Sequence, residues 1–165
     1  YGGFSGSETS RDQRNWERNI TVLNGDLAGD DVDLSNNADN SIHVVHMKNS
    51  DANTVLDGFT VRGGNCLSES SDYYGGGIYI DFGSATLANL IITDNMGKYG
   101  AGIAMRARAE NNLIAQNIIF DENFAGGGRG EASTYQKPMP PCLRFIFTAT
   151  VQIMAGPSIW PPPHM

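Results

Sequence analysis

A pattern of glycine, asparagine and apolar residues recurs along the chain at spacings of 25 to 31 residues, and nothing else in the sequence constrains the fold as strongly. Gly76-Gly77-Ile78-Tyr79-Ile80 returns as Ala101-Gly102-Ile103-Ala104-Met105, and a third start stands at Gly126-Gly127-Gly128. Between these marks runs a second unit: Leu56-Asp57-Gly58-Phe59-Thr60-Val61, then Leu87-Ala88-Asn89-Leu90-Ile91-Ile92, then Ala115-Gln116-Asn117-Ile118-Ile119-Phe120. Asn95 and Asn123 close two of these units three residues after Ile92 and Phe120, and Asn65 closes the first one residue late. Self-similarity at this period marks a repeat architecture.

Each unit is too short to bury its own apolar face, because alternating strands expose one side whichever way they fold. Stacking the units removes the difficulty: strands of successive units pair in parallel, about 4.8 Å apart. That arrangement predicts Phe59, Leu90 and Ile118 in one inward column and Val61, Ile92 and Phe120 in another. It also predicts an amide ladder between Asn95 and Asn123, since a stacked Asn can bond its own counterpart one layer along. Residues 1–128 are rich in Gly, Asn, Asp, Thr, Ile and Val and poor in helix-forming runs, so the expectation is an all-β chain.

Charge and cysteine content narrow the function classes. With 11 Lys+Arg against 18 Asp+Glu the net charge is -7, which gives no footprint for nucleic acid or an anionic membrane. Cys66 and Cys142 stand alone, outside any metal-ligand or redox spacing. The longest apolar stretch, Leu143 to Gly156, is broken by Arg144 and Gln152 and is too short to span a bilayer. The chain starts at Tyr1 without Met, as a processed form or a piece of a longer reading frame would.

The opening Tyr1-Gly2-Gly3-Phe4-Ser5-Gly6, the later Thr21-Val22-Leu23-Asn24-Gly25-Asp26, and Leu56 to Val61 followed by Gly63-Gly64-Asn65 together resemble the bacterial right-handed parallel β-helix proteins. These belong to the pectate-lyase-like superfamily, including members with polymorphic outer-membrane-protein repeats. The resemblance covers residues 1 to about 128 and implies a solenoid of about three coils. It divides the chain into an N-terminal capping segment with a first irregular coil (1–53), regular coils (54–128) and a Pro-rich tail (129–165). It further implies an extracellular or cell-surface bacterial protein that binds glycan or a surface protein and is non-catalytic over this stretch. The same scaffold carries polysaccharide lyases and glycoside hydrolases acting on acidic polysaccharides, and passive stalks.

The tail departs from this pattern: all seven prolines fall within its last 28 positions, where they cannot continue a strand ladder. Read from each third codon base, the residues Ile146 to Trp160 can encode Phe-Tyr-Gly-Asn-Ser-Ala-Asn-Tyr-Gly-Gly-Ala-Ile-Tyr-Met. That string keeps the Asn, Tyr, Gly, Ile and Met spacing of Ile92 to Met105. The expectation is an out-of-frame translation of the next coil, with a true Pro-rich extension as the alternative.

Several residues are candidates for chemistry. His43 and His46 have H-x-x-H spacing, but on a strand positions i and i+3 face opposite ways, which argues against shared metal ligation. Asp26, Asp30, Asp31 and Asp33 lie in an oxygen-rich loop that suits Ca²⁺, without EF-hand spacing; otherwise no cofactor is expected. Arg106 and Arg108 are candidates to neutralise a uronate carboxylate, and Asp94 and Glu122, at one repeat position, to act as a carboxylate pair. Tyr73, Tyr74, Tyr79 and Tyr99, beside the insertion Cys66 to Asp72 that lengthens one unit to 31 residues, are candidates to stack on sugar rings.

Overall fold

The computed structural model describes residues 1–32, 34–67 and 74–126, together with two short backbone strands in the tail. Among the described residues there are twelve strands: β1 Val22–Asn24, β2 Val45–Lys48, β3 Val55–Asp57, β4 Thr60–Arg62, β5 Ile78–Asp81, β6 Ala85–Thr93, β7 Met96–Gly97, β8 Ile103–Arg106, β9 Leu113–Asp121, β10 Phe124–Ala125, β11 Phe145–Phe147 and β12 Gln152–Ile153. Among the described residues the helical elements are two 3₁₀ turns, Arg11–Gln13 and Asn37–Asp39. None is long and apolar enough to cross a membrane.

Among the described residues all ladders between these strands are parallel. A large sheet runs β1-β4-β6-β9-β11, with β3 also on β6 and β12 also on β9; a second sheet is β2-β5-β8, and a third pairs β7 with β10. The chain therefore visits the sheets in a fixed order, from the β2-β5-β8 sheet to the large sheet to the small one, and repeats it. The sequence periodicity appears directly in the register: Thr60 pairs Ile91, Ile91 pairs Ile119, and Ile78 pairs Ile103. β11 and β12 lie in the segment 129–165 and add to the same edge of β9; the prolines of that segment and Cys142 fall outside the described residues.

The inward columns match their sequence expectation. Val61 pairs Ile92 and Ile92 pairs Phe120, while Leu90 pairs Ile118, and the amide of Ile91 donates to the Phe59 carbonyl one layer away. With Met47, Ile78, Ile80, Leu87, Ile103, Met105 and Leu113 these form one apolar core. The close stacking explains the recurring glycine: a Cβ on Gly77 would meet the Gly102 carbonyl oxygen at 2.5 Å, closer than any side chain tolerates.

Two polar ladders run beside the core. Nδ2 of Asn95 donates to Oδ1 of Asn123 at 2.9 Å, as the repeat predicts, and Asn95 is fully buried. Asn65 does not extend this ladder. Its layer puts Gly64 opposite Asn95, whose Oδ1 accepts the Gly64 amide at 3.0 Å, and Asn65 turns to bond Asn37. The second ladder joins Asn117 to Asn89 and Asn89 to Asp57, each at 2.8 Å. At these residues the long strands bend through left-handed backbone: Asn89 and Asn117 have φ of 50° and 53°, and Gly58 fills the same corner in the layer before.

The N-terminal segment lies against that first layer. The Gly2 amide donates to the Asp57 carbonyl, Arg14 pairs with the Asp57 carboxylate at 2.6 Å, and Arg11 and Arg14 lie over the Tyr1 ring.

Candidate functional site

Strand alternation decides what the β2-β5-β8 sheet shows on its outer face. Val45 and Met47, Ile78 and Ile80, and Ile103 and Met105 point into the core, so the intervening positions point out. They form two rows across the sheet: His46, Tyr79 and Ala104 in one, and Lys48, Asp81 and Arg106 in the next. Successive rows on one face are about 7 Å apart along a strand.

The first row is the spine of an aromatic column. Tyr79 stacks on His46 with ring centroids 5.1 Å apart, meets His43 at 5.0 Å and stacks with Tyr74 at 6.2 Å; Tyr74 in turn stacks on Tyr99 at 5.5 Å. Lys98 lies over the Tyr99 ring. Tyr79 is only 2% exposed and is the floor of the column, whereas His46 is exposed and His43, Tyr74 and Tyr99 are partly exposed. Of the tyrosines the sequence singles out, Tyr74 and Tyr99 are thus accessible and Tyr79 is covered. Tyr73 falls outside the described residues.

His43 and His46 correct the expectation drawn from strand alternation. Their rings meet at 5.4 Å, because His43 precedes β2 and is not bound by its alternation. Nδ1 of His43 donates to the Gly75 carbonyl at 2.9 Å, which turns the ring toward Tyr79. The missed signal is that Gly75 opens the next unit, so any residue bonding to it lies beside the tyrosines.

The second row ends at a charged corner. Arg106 grips the buried Asp81 through Nε at 2.7 Å and Nη2 at 2.6 Å. Phe82 follows with φ of 52°, and the guanidinium carbons of Arg106 and Arg108 lie 4.4 and 4.3 Å from its ring centroid. Arg106 ends β8 and Arg108 lies in the turn after it, held by an Asn111 Oδ1 that accepts the Arg108 amide at 2.8 Å. The two arginines meet through Phe82 and not through a shared strand face.

The carboxylate candidates lie elsewhere. Asp94 and Glu122 follow the paired residues Thr93 and Asp121 and occupy equivalent left-handed corners, with φ of 54° and 48°. They stand one layer apart at one repeat position, just past the C-terminal ends of β6 and β9. Asp26, Asp30 and Asp31 bring carboxylate oxygens within 4.8 Å of one another, and Asp33 falls outside the described residues. Asp26 Oδ1 caps the loop by accepting the Gly29 amide at 2.7 Å and the Asp30 amide at 3.3 Å. Asn40 donates to Asp31 Oδ2 at 2.7 Å, while Asp31 Oδ1 and Asn40 Oδ1 are shielded from solvent without a hydrogen-bond donor. Oxygen donors of this kind suit a hard cation.

Comparison with known proteins gives no match: no family model, no curated protein and no solved structure is significantly similar to this chain.

Proposed function

We propose that the chain is a right-handed parallel β-helix module of a secreted or cell-surface bacterial protein, and that it binds glycan on the outer face of the β2-β5-β8 sheet. The fixed order in which the chain visits three parallel sheets supports the solenoid, since one circuit per repeat is what a coil requires. The aromatic column supports the binding: five rings in successive contact, floored by Tyr79 and partly open at Tyr74, Tyr99 and His46, offer apolar faces for sugar rings. The charged row one step along the strands supplies hydrogen-bond partners for sugar hydroxyls or acids.

Glycan-array binding of the protein and its Tyr74→Ala and Tyr99→Ala variants tests this reading. Binding that falls about tenfold or more in either variant, with the circular dichroism spectrum kept, supports it. Binding unchanged in both removes the aromatic column from the site. A lyase acting on acidic polysaccharide is distinguished in the same samples, because its unsaturated products absorb in the ultraviolet; binding without such absorbance is the outcome this reading expects.

A further inference from the structure

We infer that the outer face of the large sheet, over β1, β4, β6 and β9, is a two-fold interface with a second copy of this chain. The inference stands apart from the glycan reading, which concerns the β2-β5-β8 sheet. Leu23, Val61, Ile92 and Phe120 pack into the core, so their strand neighbours point out. The outward residues make two rows that cross four layers: Val22, Thr60, Ile91 and Ile119, and beside it Asn24, Arg62, Thr93 and Asp121. The first row carries three aliphatic side chains and no charge, and Val22 is 46% exposed. Parallel sheets are as a rule covered on both faces, and an aliphatic row on a surface, unlike scattered single residues, marks a contact.

What covers the face is read from the charges of the second row. Arg62 and Asp121 stand one layer to either side of Thr93, about 9.6 Å apart. Among the described residues neither forms an ion pair, and Nε of Arg62 donates to Oδ1 of Asn24 at 3.4 Å. A two-fold axis that runs along β6 within the interface reverses the order of the layers and keeps position along the strands. It sets Ile91 on Ile91 and Thr93 on Thr93, with Thr60 opposite Ile119 and Arg62 opposite Asp121 of the second copy, and each of these unlike pairs occurs twice. Such self-complementarity is what a closed dimer requires of one patch. An axis along the stacking direction would put Arg62 opposite Thr60 and leave both charges without a partner, so the charge order selects the first docking. Glu122, next after Asp121, adds an acid beside Arg62 of the second copy, whereas Asp94 approaches its own counterpart at the rim. Four layers about 4.8 Å apart and two rows about 7 Å apart make a patch smaller than the roughly 800 Å² per partner of a standard interface, so the dimer is a weak one.

Sedimentation velocity in about 0.15 M salt tests this, because the net charge of -7 on each copy is then screened beyond about 8 Å while pairs in contact are not. The weight-average sedimentation coefficient of the parent is expected to rise between about 10 μM and about 1 mM, toward that of a dimer. Ile91→Lys, which sets two ammonium groups on the axis, keeps the protein monomeric throughout. Arg62→Glu and Asp121→Arg each weaken association about tenfold, and the variant carrying both returns to within about threefold of the parent, because the exchanged charges face each other again. Ile114→Lys, outward on the other side of the Asn89 bend and 38% exposed, leaves the association unchanged. Circular dichroism checks that each variant is folded; should Ile91→Lys not fold, the charge exchange carries the test. A parent that stays monomeric at about 1 mM overturns the inference. So does a double variant that associates no better than its single parents, or an Ile114→Lys variant as weak as Ile91→Lys.

Discussion

Two corners of the molecule pose the same backbone problem and answer it differently. At the bend of the large sheet the left-handed positions are Gly58, Asn89 and Asn117, residue types that tolerate positive φ and, for the asparagines, bond along the stack. At the end of β2 and β5 the positions are Asn49 and Phe82. The first corner is consistent at every level, from backbone preference to side-chain ladder, and reads as structure. The second breaks the local rule at Phe82, and the residues that surround the break are two arginines whose guanidinium groups face one ring. Agreement between local and global demands marks the scaffold, and at Phe82 contacts beyond the local backbone decide the residue.

The largest expected effect lies in the buried ladder. Asn95 accepts the Gly64 amide and donates to the carbonyls of Val61 and Thr93 and to Asn123 Oδ1. Asn95→Ala strands several of these groups without water, so a loss of about 3 to 5 kcal/mol is expected in urea unfolding. A loss under about 1 kcal/mol would show that the ladder only fills space. The Asn89 bend comes next: Asn89→Phe removes two ladder bonds and places a bulky side chain in left-handed backbone, with an expected loss of about 2 to 3 kcal/mol.

The smallest effect sits at the N-terminus. Hydrogen bonds from the Ser5 amide above all, then from the Glu8 amide, the Ser5 hydroxyl and the Gly6 amide, lower the pKa of the Glu8 carboxylate from 4.5 to about 2, and the Ser7 amide also donates to it. A carboxylate depressed in the folded state stabilises its turn above the unfolded pKa, and that contribution fades as pH falls from 4.5 through about 2. Protection factors of the Ser5 to Ser7 amides, measured by NMR and corrected for the intrinsic pH dependence of exchange, should fall as pH drops through that window and stay constant above it. Exchange that is insensitive to acid there removes Glu8 as the turn's anchor.

Repeat spacing made much of the scaffold legible. The columns Val61-Ile92-Phe120 and Leu90-Ile118, and the Asn95-Asn123 ladder, follow from counting residues, because parallel stacking converts sequence period into spatial register. The first layer escaped the count by one residue, since Gly64 and not Asn65 sits opposite Asn95. The second ladder escaped it too, although Asn89 and Asn117 are one repeat apart: an Asn within an apolar run reads as strand until its positive φ is known. The candidate site was half visible. Tyr74, Tyr79 and Tyr99 were marked as a group, but His43 and His46 join them through a bond to Gly75 that no periodicity predicts. The meeting of Arg106 and Arg108 depends on Phe82, whose role is invisible without its backbone angle.

Thermal melts of Phe82→Asn and Asn89→Phe, run side by side with the parent, test the contrast between the two corners most directly. Asn89→Phe should melt well below the parent. Phe82→Asn should melt close to it, because relief of left-handed strain, worth about 1 to 2 kcal/mol, offsets the ring contacts that are lost. A Phe82→Asn variant that falls as far as Asn89→Phe would contradict the account, since Phe82 would then be holding the fold together and not sacrificing stability for the arginines around it.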